Sequence, residues 1–196
     1  MIRALAALVL GLAPALAAAQ DTSVPAKPGD LIAALSGDWN GDGLPDAATL
    51  TQNDSDAADL TIYLGDAVYG LKPALTLTRV VFSGQGGGQT PSLAALSPST
   101  FSLHQEQIGF GRTPWESTFS IAWRDEQFVV SGYSYQYYDR IDPESQGACD
   151  VNLLTGGYEI TLDSQTKKGQ QDLRAFDASK LGPDFIPGIC QQIFDR

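Results

Sequence analysis

The chain has 196 residues, with 12 Lys+Arg against 23 Asp+Glu and a formal net charge of −11. So acidic and sparsely basic a composition argues against nucleic-acid and anionic-membrane partners. It suits an extracellular protein that holds a divalent cation, or equally one that acidity merely keeps soluble.

Residues 1–19, the start of "MIRALAALVLGLAPALAAAQ", set Arg3 before an apolar run that ends in small residues at Ala17 and Ala19. This is the layout of a secretory signal peptide with an A-x-A cleavage site, so the expected mature chain starts at Gln20 and is periplasmic or secreted. Gly11 and Pro14 interrupt the run, which is too short to span a bilayer comfortably, and no later stretch reads as a membrane helix. About 177 residues remain, enough for one domain, 20–196, with a sizeable core.

After Pro25 and Pro28, "PGDLIAAL" has a helical look. The next stretch, "GDWNGDGLPDAATL", spaces Asp38, Asn40, Asp42 and Asp46 around Gly41 and Gly43. Calcium takes six to eight hard oxygens at flexible geometry. Alternating Asp38, Asn40 and Asp42 turn three side-chain oxygens inward if the backbone curls, and glycine permits that curl. The carbonyl of Leu44 supplies a fourth oxygen and Asp46 a fifth. Magnesium, with its stricter octahedron, fits less well. The alternative is a solvated Asn-Gly/Asp-Gly turn with no ion. Thr49 stands where an EF-hand loop closes with glutamate, and "AATLTQ" reads as strand, so an EF-hand is not expected.

The rest reads as strands in series. "DAATLTQ" and "DLTIYLGD" flank the turn "NDSDAAD", in which Asp54, Asp56 and Asp59 lack glycine partners and read as solvated. "ALTLTRVVF" alternates, and "SGQGGGQTPS" is a connection without the lysine of a phosphate loop. "STFSLHQEQIGF", "ESTFSIAWRD" and "QFVVSGYSYQYY" follow, with Asp125-Glu126 as a hairpin turn. "VNLLTGGYEITLD" gives two short strands around Gly156-Gly157, and "AFDASKL" looks helical. The expected fold is therefore all-β or β-rich α+β, with antiparallel hairpins and one or two short helices.

Cys149 and Cys190 fit one disulfide in an oxidising compartment, with a nucleophilic Cys149 as the alternative. In the chain-entropy account a loop of this size is worth about 4 kcal/mol. Tyr133, Tyr135 and Tyr137 share one strand face, with Trp115 and Arg112 arriving from the preceding strand region. Exposed, they form an aromatic platform for a glycan or an envelope protein; buried, they are core packing. His104 lies on the polar side of its strand with Ser102 and Glu106, and reads as a surface histidine. Glu116, Glu126 and Glu159 lie in or beside strands, but nothing in the sequence brings two together, and no hydrolase signature is present.

The pattern D-x-N-x-D-G-x-x-D at Asp38–Asp46, followed at once by a strand, resembles the calcium loop of FG-GAP/VCBS-type repeats. That resemblance implies Asp38, Asn40, Asp42, the Leu44 main chain and Asp46 as ligands, within a hairpin unit of residues 37–66. Those families close propellers from several blades, whereas one such loop occurs here, so a propeller is not implied. With "SGQGGGQTP", "TPWESTFSIAWRDEQFVVSGYSY" and "DVNLLTGGYEIT", the chain also resembles a group of bacterial secreted proteins of unassigned function. The expectation is a calcium-stabilised binding or structural protein; the alternative is an envelope polysaccharide hydrolase with carboxylates beside the aromatic face.

Overall fold

The structure, a computed structural model, describes residues 30–53 and 56–194; the expected signal peptide and Asp54 lie outside these. Period-two alternation of apolar and polar side chains builds nearly everything within them. In the strand Asp46–Gln52, Asp46, Ala48 and Leu50 are buried while Ala47, Thr49 and Thr51 are half-exposed.

The fold is all-β, in two antiparallel sheets. The first is a meander of β1 (Leu31–Gly37), β2 (Asp46–Gln52), β3 (Ala57–Asp66) and β4 (Gly70–Phe82). The second runs in sequence through β5 (Ser92–Ser97), β6 (Thr100–Gln107), β7 (Trp115–Arg124), β8 (Gln127–Tyr138), β9 (Gln146–Asn152), β10 (Gly157–Leu162) and β11 (Gln165–Gln170). A two-residue β12 (Phe176–Asp177) pairs with β8. Leu50, Leu60, Ile62 and Val80 of the first sheet share one core with Phe101, Phe119, Ile121 and Val130 of the second. Among the described residues no helix is long and apolar enough to cross a membrane.

Two helical expectations are corrected. The segment 31–37 is strand β1, with Leu35 opposite Ala48 and Gly37 opposite Asp46. Its alanines favour helix locally, but pairing along β2 outweighs so weak a preference. Within "AFDASKL" only Ala178–Lys180 turns, as a 3-10 helix whose first turn is capped by Asp177 accepting from the Ser179 N–H. Phe176 and Asp177 are instead taken up by β8 at Val130 and Val129, beyond the stretch that β9 pairs.

The turn at Asp125-Glu126 holds both residues at positive φ, 49° and 61°. A two-residue hairpin with right-handed twist needs that conformation, which side chains with a Cβ resist. Cys149 on β9 and Cys190 in the 3-10 segment Gly188–Ile193 form the disulfide. It holds the C-terminal segment against the second sheet, with Ile189 and Ile193 buried.

The turn gives a direct test. Replacing Asp125-Glu126 by Asn-Gly should raise stability by about 1 kcal/mol in urea unfolding, because the new residues accept positive φ without penalty. A neutral or destabilising result would show that the native side chains make up the difference.

Candidate functional site

The loop Asp38–Pro45 connects β1 to β2, and its curl is made by Gly41 at φ 74° and Gly43 at φ 84°. Side-chain oxygens fold back onto it as the spacing implies. Asp38 Oδ2 accepts from the Gly43 N–H at 3.0 Å, Asn40 Oδ1 from the Asp42 N–H at 3.1 Å, and Asp42 Oδ1 from the Leu44 N–H at 2.8 Å. Asn40 Nδ2 also donates to Asp42 Oδ2 at 2.8 Å.

Asp46 behaves differently from the other acids. It is 1% exposed, and its two oxygens accept from the Trp39 N–H at 2.8 Å and the Gly65 N–H at 2.9 Å. The carboxylate thus ties the loop to the end of β3 from beneath. Trp39, itself 3% exposed, packs on Phe101 at 4.8 Å and Phe128 at 6.3 Å between centroids. The loop therefore drives an aromatic wedge from the first sheet into the second. Gly37 makes room for it, since a Cβ there would lie 2.7 Å from Trp39 Nε1.

As a donor set the loop fits a hard divalent cation: Asp38, Asn40 and Asp42 present oxygens on one curl. The fit is not a closed cage. Among the described residues the Asp38, Asp42 and Asp46 carboxylates are not gathered into a three-ligand group. Each Asp46 oxygen already accepts a backbone hydrogen, which leaves it a weaker donor than the spacing implies.

The tyrosine face points inward. Tyr133 is buried, Tyr135 and Tyr137 are half-buried, and the C-terminal segment lies over them. Phe194 stands 5.0 Å from Tyr135 and 6.5 Å from Tyr137, and the Tyr137 hydroxyl donates to the Ile193 carbonyl at 3.2 Å. Packing thus claims most of what would be an open platform. What remains is a cavity of about 460 Å³ between the sheets, bounded by Phe82, Gln105, Trp115, Tyr135, Phe185 and Arg79. Trp115 and Tyr135 stack there at 6.1 Å and 14°.

Arg112 is not in this wall. Its Nε donates to Asp139 Oδ2 at 2.7 Å, holding that carboxyl down at about 2, with backbone N–H groups of Ile141 and Asp142 assisting. Asp56 and Asp59 do more than face solvent: Asp59 accepts from the Arg79 N–H at 2.7 Å and Asp56 meets the Arg79 guanidinium at 3.3 Å.

The acids expected near the aromatic face lie elsewhere. Trp115, Ser117 and Phe119 face the core, so Glu116 and Thr118 point to the other side of the second sheet. Glu116 and Glu159 line one cavity of about 340 Å³ there, together with Asp150. Desolvation first, then the charge of Glu159, pushes the Asp150 carboxyl up although the residue is exposed overall. Glu126 sits apart, in the β7–β8 turn. His104 joins Glu106 and Glu116 on this outer face, a grouping the sequence reading missed. The H-x-E spacing was visible, but the register that brings Glu116 opposite Glu106 was not.

Comparison with protein-family models, curated proteins and solved structures finds no match.

Two measurements test these assignments. Asp46→Ala leaves the buried Trp39 N–H and the half-buried Gly65 N–H without an acceptor and should cost on the order of 3 kcal/mol in urea unfolding; a cost near zero would remove the tether. Burial, reinforced by Tyr137, pushes the Tyr135 hydroxyl to about 12, and burial with Tyr135 pushes Tyr133 up as well. The folded state keeps these protons where the unfolded chain loses them. Their contribution is complete below the ordinary value of 10 and fades as pH rises from there, toward about 12 for Tyr135 and further for Tyr133. Phenolate absorbance should show two late-titrating tyrosines, released together with unfolding; uniform titration near 10 would place both rings in water.

Proposed function

We propose that this chain is a secreted or periplasmic binding protein in which calcium stabilises the loop Asp38–Asp46. The observation that carries the reading is the loop's double connection. Its exposed edge is a curl of oxygen donors, and its underside is the Asp46–Trp39 pair that joins the sheets. Order at that edge is then linked to packing at the centre.

On this reading Asp38, Asn40 and Asp42 hold the cation, with the Leu44 main chain, in the manner of the FG-GAP/VCBS-type loop that the segment resembles. Asp46 contributes mainly by fixing the base of the loop. Bound there, calcium would replace carboxylate repulsion with shared ligation. Secretion accords with the leader sequence, with a protein disulfide, which persists in oxidising compartments, and with the calcium available outside cells. The binding role rests on the cavity between the sheets, which has the size of a small-molecule site and mixes aromatic walls with a few polar groups. The Trp115–Tyr135 pair and Gln105 suit an amphipathic ligand of sugar type, free or carried on an envelope component.

Thermal unfolding with EDTA, with millimolar calcium and with millimolar magnesium tests the reading. A midpoint that rises with calcium but not magnesium, and an Asp42→Ala variant that has lost this response, are the expected results. At a hundredfold excess over Kd the gain would be about 2.7 kcal/mol. A calcium response unchanged in Asp42→Ala, or none in the parent chain, would reduce the loop to a hydrogen-bonded turn.

A further inference from the structure

The outer face of the second sheet carries an arrangement that the proposed function leaves unused. We propose that His104, Glu106 and Glu116 form a separate site for a first-row divalent transition ion, zinc foremost. It shares no residue with the calcium loop or with the cavity between the sheets.

Register brings the three together. Glu106 on β6 stands directly opposite Glu116 on β7, and His104 opposite Thr118. Like charges facing each other across a strand pair are destabilising unless a cation lies between them. Among the described residues no Lys or Arg forms an ion pair with either glutamate. The chain's one histidine stands beside both of them instead.

The distances suit ligation better than hydrogen bonding. His104 Nε2 lies 3.5 Å from Glu106 Oε2 and 3.8 Å from Glu116 Oε2, and one donor atom from each residue falls within 4.8 Å of the others. Good N–H···O bonds are shorter, about 2.7–3.2 Å. By contrast, ligands about 2.1 Å from a tetrahedral zinc stand about 3.4 Å from one another. The three atoms therefore surround a space rather than close on it.

Supporting contacts hold them there. His104 Nδ1 lies 3.0 Å from Thr118 Oγ1, so a proton on Nδ1 leaves the Nε2 lone pair aimed at the carboxylates. Glu116 Oε1 accepts from Gln136 Nε2 on β8, which leaves Oε2 turned toward His104. Outer contacts of this kind fix the ring and carboxylate of metal-bound residues. The side chains are 24%, 21% and 36% exposed, enough to admit an ion and partly shield it. One imidazole with two carboxylates favours zinc over calcium or magnesium, which prefer all-oxygen shells. The cavity of about 340 Å³ beside Glu116 offers space for water at a fourth position.

The test is titration of the untagged full chain, preloaded with calcium, with zinc chloride in a calorimeter. His104 being the only histidine, its ring signals in the proton NMR spectrum report the site without assignment. We expect one zinc per chain at micromolar concentration, with those signals shifted. Binding should be at least tenfold weaker in the isosteric Glu106→Gln and Glu116→Gln, absent in His104→Ala, and unchanged in Asp42→Ala. Circular dichroism melts identify any variant that fails to fold, and the ring signals of the parent chain then decide by themselves. Unmoved histidine signals at millimolar zinc, or zinc binding that survives His104→Ala, would overturn the proposal.

Discussion

The structure depends on one buried carboxylate. Asp46 begins β2, accepts from Trp39 on one side and Gly65 on the other, and has almost no exposure. A buried anion is tolerable only when its lone pairs are satisfied, and hydrogen bonds to charged groups are the stronger kind. Satisfying this one requires the loop to fold back and β3 to end where it does. Close packing accompanies it: a Cβ on Gly65 would stand 2.7 Å from the Leu44 Cβ.

From that tether the joining of the sheets follows. Asp46 holds the Trp39 backbone N–H, and the indole packs on Phe101 and Phe128 rather than facing solvent. The opposite contribution comes from the C-terminal segment, drawn onto the second sheet by Cys149–Cys190. Phe185 and Phe194 then cover the tyrosines that would otherwise form an open aromatic face. Between these contacts the sheets leave a cavity rather than a flat platform, and any ligand on the aromatic side has to enter it.

The second sheet separates its chemistry by face. The inward residues of β6, β7 and β8 are mostly apolar or aromatic; among the polar ones, Gln105 donates from Nε2 to Ser117 and accepts at Oε1 from Phe82, while Gln107, opposite Trp115, keeps a buried Oε1 with no partner among the described residues. The outward residues gather the lone histidine and four acids, Glu106, Glu116, Asp150 and Glu159. Alternation puts Glu116 and Tyr135 on opposite sides of one sheet, and the acids that line the cavity beside the tyrosines are instead Asp56 and Asp184.

The sequence by itself determined a β-rich, antiparallel fold, most of the strands and the hairpin at Asp125-Glu126, because period-two patterning and turn residues are local signals. The cysteine pair was equally legible, since two cysteines allow only one intramolecular bridge. The curl of the Asp38–Asp46 loop was legible for the same reason: its glycines and alternating Asx residues act within a few residues of one another. What only the tertiary structure decided depends on register and on what covers what. Residues 31–37 are a strand because β2 lies beside them, Asp46 is a buried tether because Trp39 and Gly65 converge on it, and the tyrosines are covered because the tail returns. The grouping of His104 with Glu106 and Glu116 belongs to the same class. A slip of two residues between β6 and β7 would keep every side chain on its face yet move Glu116 away from Glu106, so no pattern within either strand fixes that pairing.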